Sequence, residues 1–143
     1  MLQRNPQFFG MLLFGVVRRL GCERVEGDVV AEGFGDQPRI LAAADDGGRR
    51  YEAFWEWVSV HDPLEPSWQL DTIAVAPERQ GRGIGRGLVE AGLARARADG
   101  TSAFLSTGTR ANVAIHGRCG FHVYHEADAP DGGPRIWFMR WDP

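Results

Sequence analysis

The sequence contains no lysine, and arginine supplies all of its 16 basic side chains. This absence excludes a Walker-type phosphate loop, because that loop ends in Gly-Lys-Ser or Gly-Lys-Thr. Positive charge is not in excess either, since 19 acidic residues give the chain a formal net charge of −3. Binding to a phosphate backbone requires a clustered basic surface. The composition therefore argues against nucleic acid as the main partner.

Cysteine is scarce as well, with only Cys22 and Cys119 in 143 residues. The two lie far apart, and neither belongs to a CxxC pair or to a histidine-rich cluster, so they lack the spacing of a metal site. We therefore expect no metal. Because no export signal is visible, we expect a cytoplasmic protein in which both thiols are reduced.

Long apolar runs are also missing. The most apolar stretch, Phe8 to Val17 (FFGMLLFGVV), has ten residues, about half of what a membrane-spanning helix requires. Arg18 and Arg19 follow it, which is the wrong flank for a signal peptide. We predict a buried or interface helix from about Asn5 to Leu20, ended by Gly21.

The composition that is present, 43% hydrophobic and 24% charged, is that of an ordinary globular protein. The length suits one domain over residues 1–143, with a weakly patterned front half (1–67) and a more informative part (68–141). In the front half, Arg24–Ala31 and Arg39–Ala44 are strand-like and flank FGDQP as in a hairpin. The next segment, 49–60, predicts a helix that carries these side chains on one face: Tyr51, Phe54, Trp55 and Val58.

The chain is organised around the stretch from Trp68 to Gly100. Leu70–Val75 is β-branched and apolar and is closed by Pro77, which predicts a buried strand. From Ile84 onward, small and apolar residues recur at helical spacing, with charged residues largely off that face. The unit is therefore a strand, a glycine-rich turn and a helix.

The turn contains Gly81, Gly83 and Gly85. Glycine leaves the backbone free of Cβ atoms at the place where the first N–H groups of the helix have no internal partner. Such N–H groups, together with the positive end of the helix dipole, can hold a phosphate or pyrophosphate. Arg82 and Arg86 add positive charge beside them.

The turn has two other possible interpretations. The dinucleotide pattern GxGxxG does not fit, because its last glycine position holds Arg86 or Leu88. A flexible connection between strand and helix, without a ligand, is the structural alternative that the turn alone leaves open.

The order Gln80, Gly83, Gly85 after a strand resembles the Gln/Arg-x-x-Gly-x-Gly turn of the GNAT-type N-acetyltransferases. A second segment, RANVAIHGRCGF, is similar to the N-x-x-x-Tyr-x-x-x-Gly-Phe segment of the same family. Asn112 and the Gly120–Phe121 pair match that segment, and His116 occupies the place of the tyrosine. The likeness extends over about 68–141, whereas the first 67 residues match poorly and show no convincing first strand.

The second half predicts further elements in the order that this family has. Ala103–Thr107 reads as a buried strand, parallel to the first because a helix connects them. Ala111–Cys119 predicts a short helix stopped by Gly120. Phe121–His125 and Arg135–Trp141 alternate around a turn and predict an antiparallel hairpin.

The resemblance implies an α/β fold with a mixed sheet, the GNAT-like acyl-CoA N-acyltransferase fold, in which acetyl-CoA serves as the acetyl donor. It implies that acetyl-CoA lies where the strands corresponding to Leu70–Val75 and Ala103–Thr107 separate, with the acceptor amine entering from the other side. The residues that it implies for binding acetyl-CoA are Ile73, Ala74, Val75, Gln80, Gly81, Arg82, Gly83, Ile84, Gly85, Arg86 and Asn112.

The catalytic expectations depend on three side chains. His116 stands where the family carries a tyrosine that protonates the departing thiolate, and an imidazole can perform the same transfer. A histidine that only packs beside the ligand is the alternative. Asp71 is a candidate base on the strand, which alternation places on the face of Ile73 and Val75, and a solvated or bulge residue is its alternative. His61 could also act as base from its loop, or could be solvated.

Other polar side chains have simpler interpretations. Glu52 and Glu56 are expected on the wet face of a helix, and His122 and His125 on the surface of the hairpin. Cys119 could pair with a histidine as a nucleophile, but a small core thiol is the favoured interpretation, because no orienting third group is visible.

The predicted reaction is the transfer of acetyl from acetyl-CoA to an amine of a small molecule or peptide, by direct attack. The mildly acidic charge balance suits a cationic acceptor such as an aminoglycoside or polyamine. A degenerate module that binds CoA without turnover, or a purely structural domain, are the alternatives. An incomplete or remodelled sheet edge near residues 24–44 is expected, and such an edge favours a homodimer.

Overall fold

The structure is a computed structural model and describes residues 10–17, 45–75 and 77–143. Five strands and three helices follow one another in these residues, and a short 3-10 turn at Pro77–Arg79 precedes the second helix. In chain order they are β1 (Gly10–Val17), α1 (Arg49–Ser59), β2 (Ser67–Val75), α2 (Ile84–Ala98), β3 (Ala103–Thr107), α3 (Arg110–Gly117), β4 (His122–Asp128) and β5 (Arg135–Trp141).

The five strands form one mixed sheet in the order β1-β2-β3-β5-β4. β2 and β3 are parallel and are joined by α2, as the connecting helix required. The pairs β1–β2, β3–β5 and β4–β5 are antiparallel. The predicted class, an α/β fold with a mixed sheet, is confirmed.

The predicted helix over Asn5–Leu20 is wrong, because residues Gly10–Val17 form strand β1. This strand pairs with β2 from Gly10 opposite Val75 to Val17 opposite Ser67. Periodicity cannot distinguish a short apolar run in a strand from one in a buried helix. Two glycines within the run disfavour a helix, and the open edge of β2 decides the matter by offering hydrogen-bond partners. The expectation that no strand precedes residue 20 is therefore also wrong.

The other predicted elements of the described residues are confirmed, with boundaries that shift by a few residues. β2 begins three residues before the predicted Leu70, and α3 covers Arg110–Gly117 instead of Ala111–Cys119. β4 continues to Asp128, beyond the predicted end at His125. The strand-like pieces predicted within residues 24–44 lie outside the described residues.

The core has one cluster on each face of the sheet. The larger cluster places α2 against β2, β3 and β5, and its buried residues are Trp68, Leu70, Val89, Leu93, Ala96, Ala103, Leu105, Phe121, Met139 and Trp141. On the other face, α1 contributes Val58, Phe54 and Trp57, which pack against Ile136 and Phe138 of β5. Neighbouring residues of β5 thus serve opposite faces, as strand alternation requires.

The helix α1 differs in detail from its predicted apolar face. Val58 and Phe54 pack inward as expected, and so does Trp57. Tyr51 and Trp55 are instead 41% and 38% exposed. The two exposed rings contact each other edge to face, with centroids 6.1 Å apart.

We predict that Phe138→Ala destabilises the protein by about 3–5 kcal/mol, because it removes a fully buried ring that α1 and the sheet share. Val123→Ala, on the neighbouring strand but 40% exposed, should change the stability by less than about 0.5 kcal/mol. Denaturant unfolding followed by tryptophan fluorescence measures both. Equal losses in the two variants would contradict the assignment of Phe138 to the core.

Candidate functional site

The central feature of the site is a gap between the two parallel strands. β2 and β3 pair at Trp68–Ala103 and Gln69–Phe104. Within the described residues the ladder ends there, although β2 runs on to Val75 and β3 to Thr107. The unpaired backbone groups along this edge can accept an extended ligand as an added strand would.

Polar contacts stabilise the closed end of the gap, where β2 and β3 are still paired. The buried hydroxyls of Ser67 and Ser102 are 2.8 Å apart, and the backbone N–H of Trp68 donates to the carbonyl of Ser102 at 2.9 Å. The indole Nε1 of Trp68 also donates to Asp99 at the end of α2, at 3.0 Å. These contacts hold the strands together at one end only, so the opening lies toward Val75 and Thr107.

A β-bulge interrupts β2 at Asp71. Leu70 is opposite Phe14 and Thr72 is opposite Leu13, so Asp71 is the extra residue. An extra residue changes which face the following side chains occupy. Leu70 and Ile73 accordingly pack against the same core cluster, while Asp71 is exposed. Simple alternation, which placed Asp71 on the face of Ile73, does not hold across the bulge.

The glycine-rich turn lies at the open end of the gap. Gly81 and Gly83 have φ angles of 74° and 77°, which favour glycine, and Gly83 is the N-cap of α2. The first N–H of α2 that has a backbone acceptor is that of Gly87, which donates to the carbonyl of Gly83 at 3.0 Å. Among the described residues, no backbone carbonyl accepts from the N–H groups of 81–86. This is the arrangement that holds an anion at a helix N-terminus.

Side chains around the turn have different roles. The amide Nε2 of Gln80 donates to the carbonyl of Val75 at 3.0 Å, so this side chain ties the turn to the end of β2. Arg86 pairs with Glu90 one turn further along α2, at 2.7 Å, which offsets part of its positive charge. Arg82 is exposed and forms no ion pair within the part of the chain that the structure describes. Arg82 is therefore the better placed of the two for contact with an anion.

Asn112 lies in the first turn of α3, near the open end of β3. Its backbone N–H donates to the hydroxyl of the N-cap Thr109 at 3.2 Å, and its side-chain Nδ2 donates to the hydroxyl of Thr107 at 3.1 Å. These bonds fix the start of α3 relative to the last residue of β3. The structure thus gives Asn112 a positioning role at the gap.

His116 lies in the last turn of α3. Its Nδ1 atom is buried and has no hydrogen-bond partner among the described residues, and its ring meets Phe121 edge to face at 6.0 Å. Burial lowers the pKa of this imidazole below its usual 6.5. At neutral pH His116 is therefore mainly uncharged.

Cys119 packs against the larger core cluster and is partly buried. Burial raises the pKa of its thiol above the usual value, and the nearby Arg86 only partly opposes that shift. A raised pKa keeps the sulfur protonated, whereas a nucleophilic cysteine requires a thiolate. These features favour the interpretation of Cys119 as a core thiol.

On the opposite face of the sheet, the fold brings His61 and His125 together. Their rings stack with centroids 4.6 Å apart, and the ring of His61 also lies 4.7 Å from Phe138 and 5.2 Å from Trp57. Burial, followed by the neighbouring His125, lowers the pKa of His61. No local sequence signal pairs these histidines, because one is in a loop and the other in a hairpin.

Two absences apply to the described residues. No group of three or more histidine, cysteine, aspartate or glutamate side chains among them is arranged to hold a metal ion. None of the helices in these ranges is long and apolar enough to cross a membrane.

Comparison with known proteins gives one match to a family. The sequence model of the acetyltransferase (GNAT) family matches residues 31–121, which include both motifs up to Phe121. The match also covers residues of the front half, where motif comparison alone found little.

Solved structures provide matches to the fold. Arylalkylamine N-acetyltransferase 2 from Aedes aegypti matches with a TM-score of 0.63 and 12% identity, over 94% of this chain and 67% of that one. A Corynebacterium glutamicum protein described as histone acetyltransferase HPA2 and related acetyltransferase has a TM-score of 0.51 and 26% identity, over 58% of this chain and 45% of its own. The NatC complex bound to Gag peptide and CoA has a TM-score of 0.50 and 16% identity, over 58% and 55%. The chain thus spans less than half of the Corynebacterium protein.

We predict that lowering the pH below about 6.5 destabilises the protein in part through His116. Because its pKa is lowered in the folded state, the unfolded chain binds its proton first, and stability falls as the pH drops through this window. His116→Gln should reduce the slope of unfolding free energy against pH, measured by denaturant unfolding between neutral pH and pH 5. His122→Gln, at an exposed position, should keep the slope of the natural protein. An unchanged slope in His116→Gln would contradict burial of this imidazole.

Proposed function

Because the chain belongs to the GNAT acetyltransferase family, we propose that it transfers the acetyl group of acetyl-CoA to an amine. The observation that carries the proposal is the turn at residues 81–86, whose N–H groups have no backbone acceptor among the described residues, at the mouth of the gap between β2 and β3. An anion site and an open strand edge occur together there. This combination suits a ligand with a pyrophosphate at one end and an extended amide-containing arm.

The proposed binding mode assigns acetyl-CoA to this chain's own groups. The pyrophosphate would be held by the N–H groups of 81–86 with Arg82 beside it, and the pantetheine arm would pair with backbone groups of Ile73, Ala74 and Val75. Gln80 and Asn112 act by fixing the turn and the start of α3. The NatC structure, which shares the fold, contains CoA and is consistent with this mode.

The proposed chemistry is direct attack. The neutral amine nitrogen forms a bond to the acetyl carbonyl carbon, the bond between carbon and sulfur breaks, and the sulfur of CoA leaves as a thiolate. A covalent enzyme intermediate is not needed, so holding the two reactants in contact supplies much of the rate. His116 is proposed to protonate the thiolate, and Asp71 stays a candidate base.

The acceptor is proposed to be an amine of a small molecule or peptide. The net charge of −3 favours cationic acceptors such as polyamines or aminoglycosides. The second candidate function is a CoA-binding module without turnover. The lowered pKa of His116 favours it, because an imidazole that is mainly neutral at neutral pH seldom carries the proton that a general acid must donate. A cytoplasmic location and a homodimer are part of the proposal.

We predict that Gly85→Val weakens acetyl-CoA binding by about tenfold or more, equivalent to ~1.4 kcal/mol, while the fold is retained. A Cβ at Gly85 makes only ordinary contact with Val75, at 3.7 Å, so the added side chain obstructs the ligand more than the protein. Gly83→Val should weaken binding at least as much, but the positive φ of Gly83 adds backbone strain to that variant. Arg82→Ala should weaken binding less. Titration calorimetry measures the affinities.

The control is Gly87→Ala, two residues further along α2. Its Cβ meets nothing within 4 Å, and its N–H is already used by the helix. This variant should bind acetyl-CoA with the natural affinity. If Gly85→Val and Gly87→Ala both bind normally, the anion site lies elsewhere and the proposed function loses its main support. Normal binding without release of free thiol over a panel of amines would favour the non-catalytic module.

A further prediction concerns His116 as the acid. An acid must be protonated, so turnover should fall as the pH rises through the lowered pKa of His116, while the amine requires high pH. His116→Tyr should move the alkaline limb of the pH profile upward, because an unperturbed phenol has a pKa near 10. His116→Phe should reduce turnover by about 10²-fold with CoA binding kept. Natural turnover in the Phe variant would leave protonation of the thiolate to water.

A further inference from the structure

We propose that His61, stacked on His125, takes up the proton that the acceptor amine loses during acetyl transfer. The inference rests on the proposed function and adds to it a proton acceptor from outside the two family motifs.

The position follows from the register of the sheet. Phe138 of β5 is directly opposite Ser106 of β3 and also opposite His125 of β4. Residues directly opposite each other project from the same face, so these three side chains form one row across the sheet. Ser106 belongs to the part of β3 that borders the gap, beyond its last pairing with β2 at Phe104.

The ring of His61 lies over the middle of this row. Its centroid is 4.7 Å from that of Phe138, on the face where α1 packs, whereas α2 and its N-terminal turn belong to the other face. The ring of His61 is also 4.6 Å from that of His125 on β4, so it lies over β5 and β4, about two strand spacings, ~10 Å, from the gap beyond β3. A short chain of bridging waters spans such a distance. The pair therefore lies on the face of the sheet opposite the proposed pyrophosphate site, within reach of the gap through water.

The pair is held by contacts that order both the loop and the strand. The hydroxyl of Tyr124 donates to the backbone carbonyl of His61 at 2.7 Å, and Glu65 of the same loop pairs with Arg140 of β5. Tyr124 is the extra residue of a second bulge, because Val123 is opposite Met139 and His125 is opposite Phe138. The bulge presents Tyr124 and His125 to His61 together. A proton acceptor held in this way needs little reorganisation when the amine arrives.

The contacts of His61 favour its neutral form. On the side of β4, His61 contacts His125 and Tyr124. Burial, and after it the charge of Asp62, raises the pKa of Tyr124 to about 12, so its phenol stays uncharged. From α1, His61 meets the uncharged Trp57. The loop that carries His61 also carries the charged residues Asp62 and Glu65. On β5, Arg140 forms ion pairs with Glu65 and Asp142. Two imidazoles 4.6 Å apart repel each other when both are protonated, so at least one is free to accept a proton near neutral pH.

The amine nitrogen bonds to the acetyl carbon, and its proton passes through bridging water to a nitrogen of neutral His61. The thiolate of CoA departs and takes a proton from His116 or from water. His61 then releases its proton to the solvent, so each turnover gives one amide and one thiol from one amine and one thioester.

The test compares His61→Gln and His125→Gln with His122→Gln, the same substitution at an exposed position of β4. Release of free thiol from acetyl-CoA is measured against pH with an amine that the natural protein acetylates. If no amine of the panel is acetylated, hydrolysis of acetyl-CoA by water is measured instead. Thermal melting and acetyl-CoA calorimetry are measured for each variant. His61→Gln should lower turnover at pH 7 by about 10²-fold with unchanged acetyl-CoA affinity, and the loss should shrink at high pH, where solvent deprotonates the amine.

His125→Gln provides the readout that a packing role would not give. Removing the second imidazole should raise the pKa of His61, so the acid limb of the pH profile should move to higher pH while turnover at high pH is kept. The chain has four histidines, so single variants assign their NMR signals, and the titration of His61 should move in the same direction without any substrate. His122→Gln should change neither measurement.

The outcomes separate this inference from the proposed function. Natural turnover and pH profile in His61→Gln, or a His61 titration that is unchanged in His125→Gln, would overturn the role of the pair and leave acetyl transfer standing. The Asp71→Asn variant then identifies the other candidate base. If the natural protein binds acetyl-CoA and releases no thiol with any amine or with water, the proposed function fails and the inference fails with it. The NMR titration still applies if His61→Gln does not fold.

Discussion

The incomplete pairing of two parallel strands is the constraint on which the rest of the site depends. β2 and β3 share two paired positions near Ser67 and Ser102 and then separate, although both strands continue. Buried polar groups need partners, and the hydroxyl pair and the Trp68 contacts satisfy them at the closed end. At the other end the backbone edge is left for a ligand. The sheet thus holds β2 and β3 together at one end of the gap and leaves backbone hydrogen-bonding groups at the other end without strand partners among the described residues.

The glycine-rich turn places helix N–H groups beside this opening, where we propose that they bind an anion. The side chain of Gln80 donates to the carbonyl of Val75, and this hydrogen bond fixes the N-terminus of α2 at the open end of the gap. Positive φ angles at Gly81 and Gly83 aim the N–H groups without side chains in the way. The pair formed by Arg86 and Glu90 shows that a basic side chain in a motif can be committed to its own helix. Backbone N–H groups, in contrast, keep their direction as long as the helix exists.

Two bulges shape the two faces of the sheet. The bulge at Asp71 lets Leu70 and Ile73 serve the same core, and the bulge at Tyr124 presents two neighbouring side chains to His61. Bulges redirect side chains at functional sites of many sheets. In this protein they explain why residues that alternation would separate are found together. The histidine pair exists only because β5 brings the loop after α1 and the hairpin strand β4 to one side of Phe138.

Local sequence pattern is enough to predict the strand, turn and helix from Leu70 to Ala98, the parallel strand β3, the closing hairpin and the place of the proposed anion site. These features depend on interactions between residues close in the chain, namely helical periodicity, glycine at positive φ and the need for a helix between parallel strands. That Gly10–Val17 is a strand depends on tertiary pairing, because the edge of β2 supplies its hydrogen bonds. Only the tertiary structure, likewise, placed Asp71 in a bulge, buried Nδ1 of His116 and stacked His61 on His125. Each of these depends on register or burial between segments far apart in the chain, which local pattern does not encode.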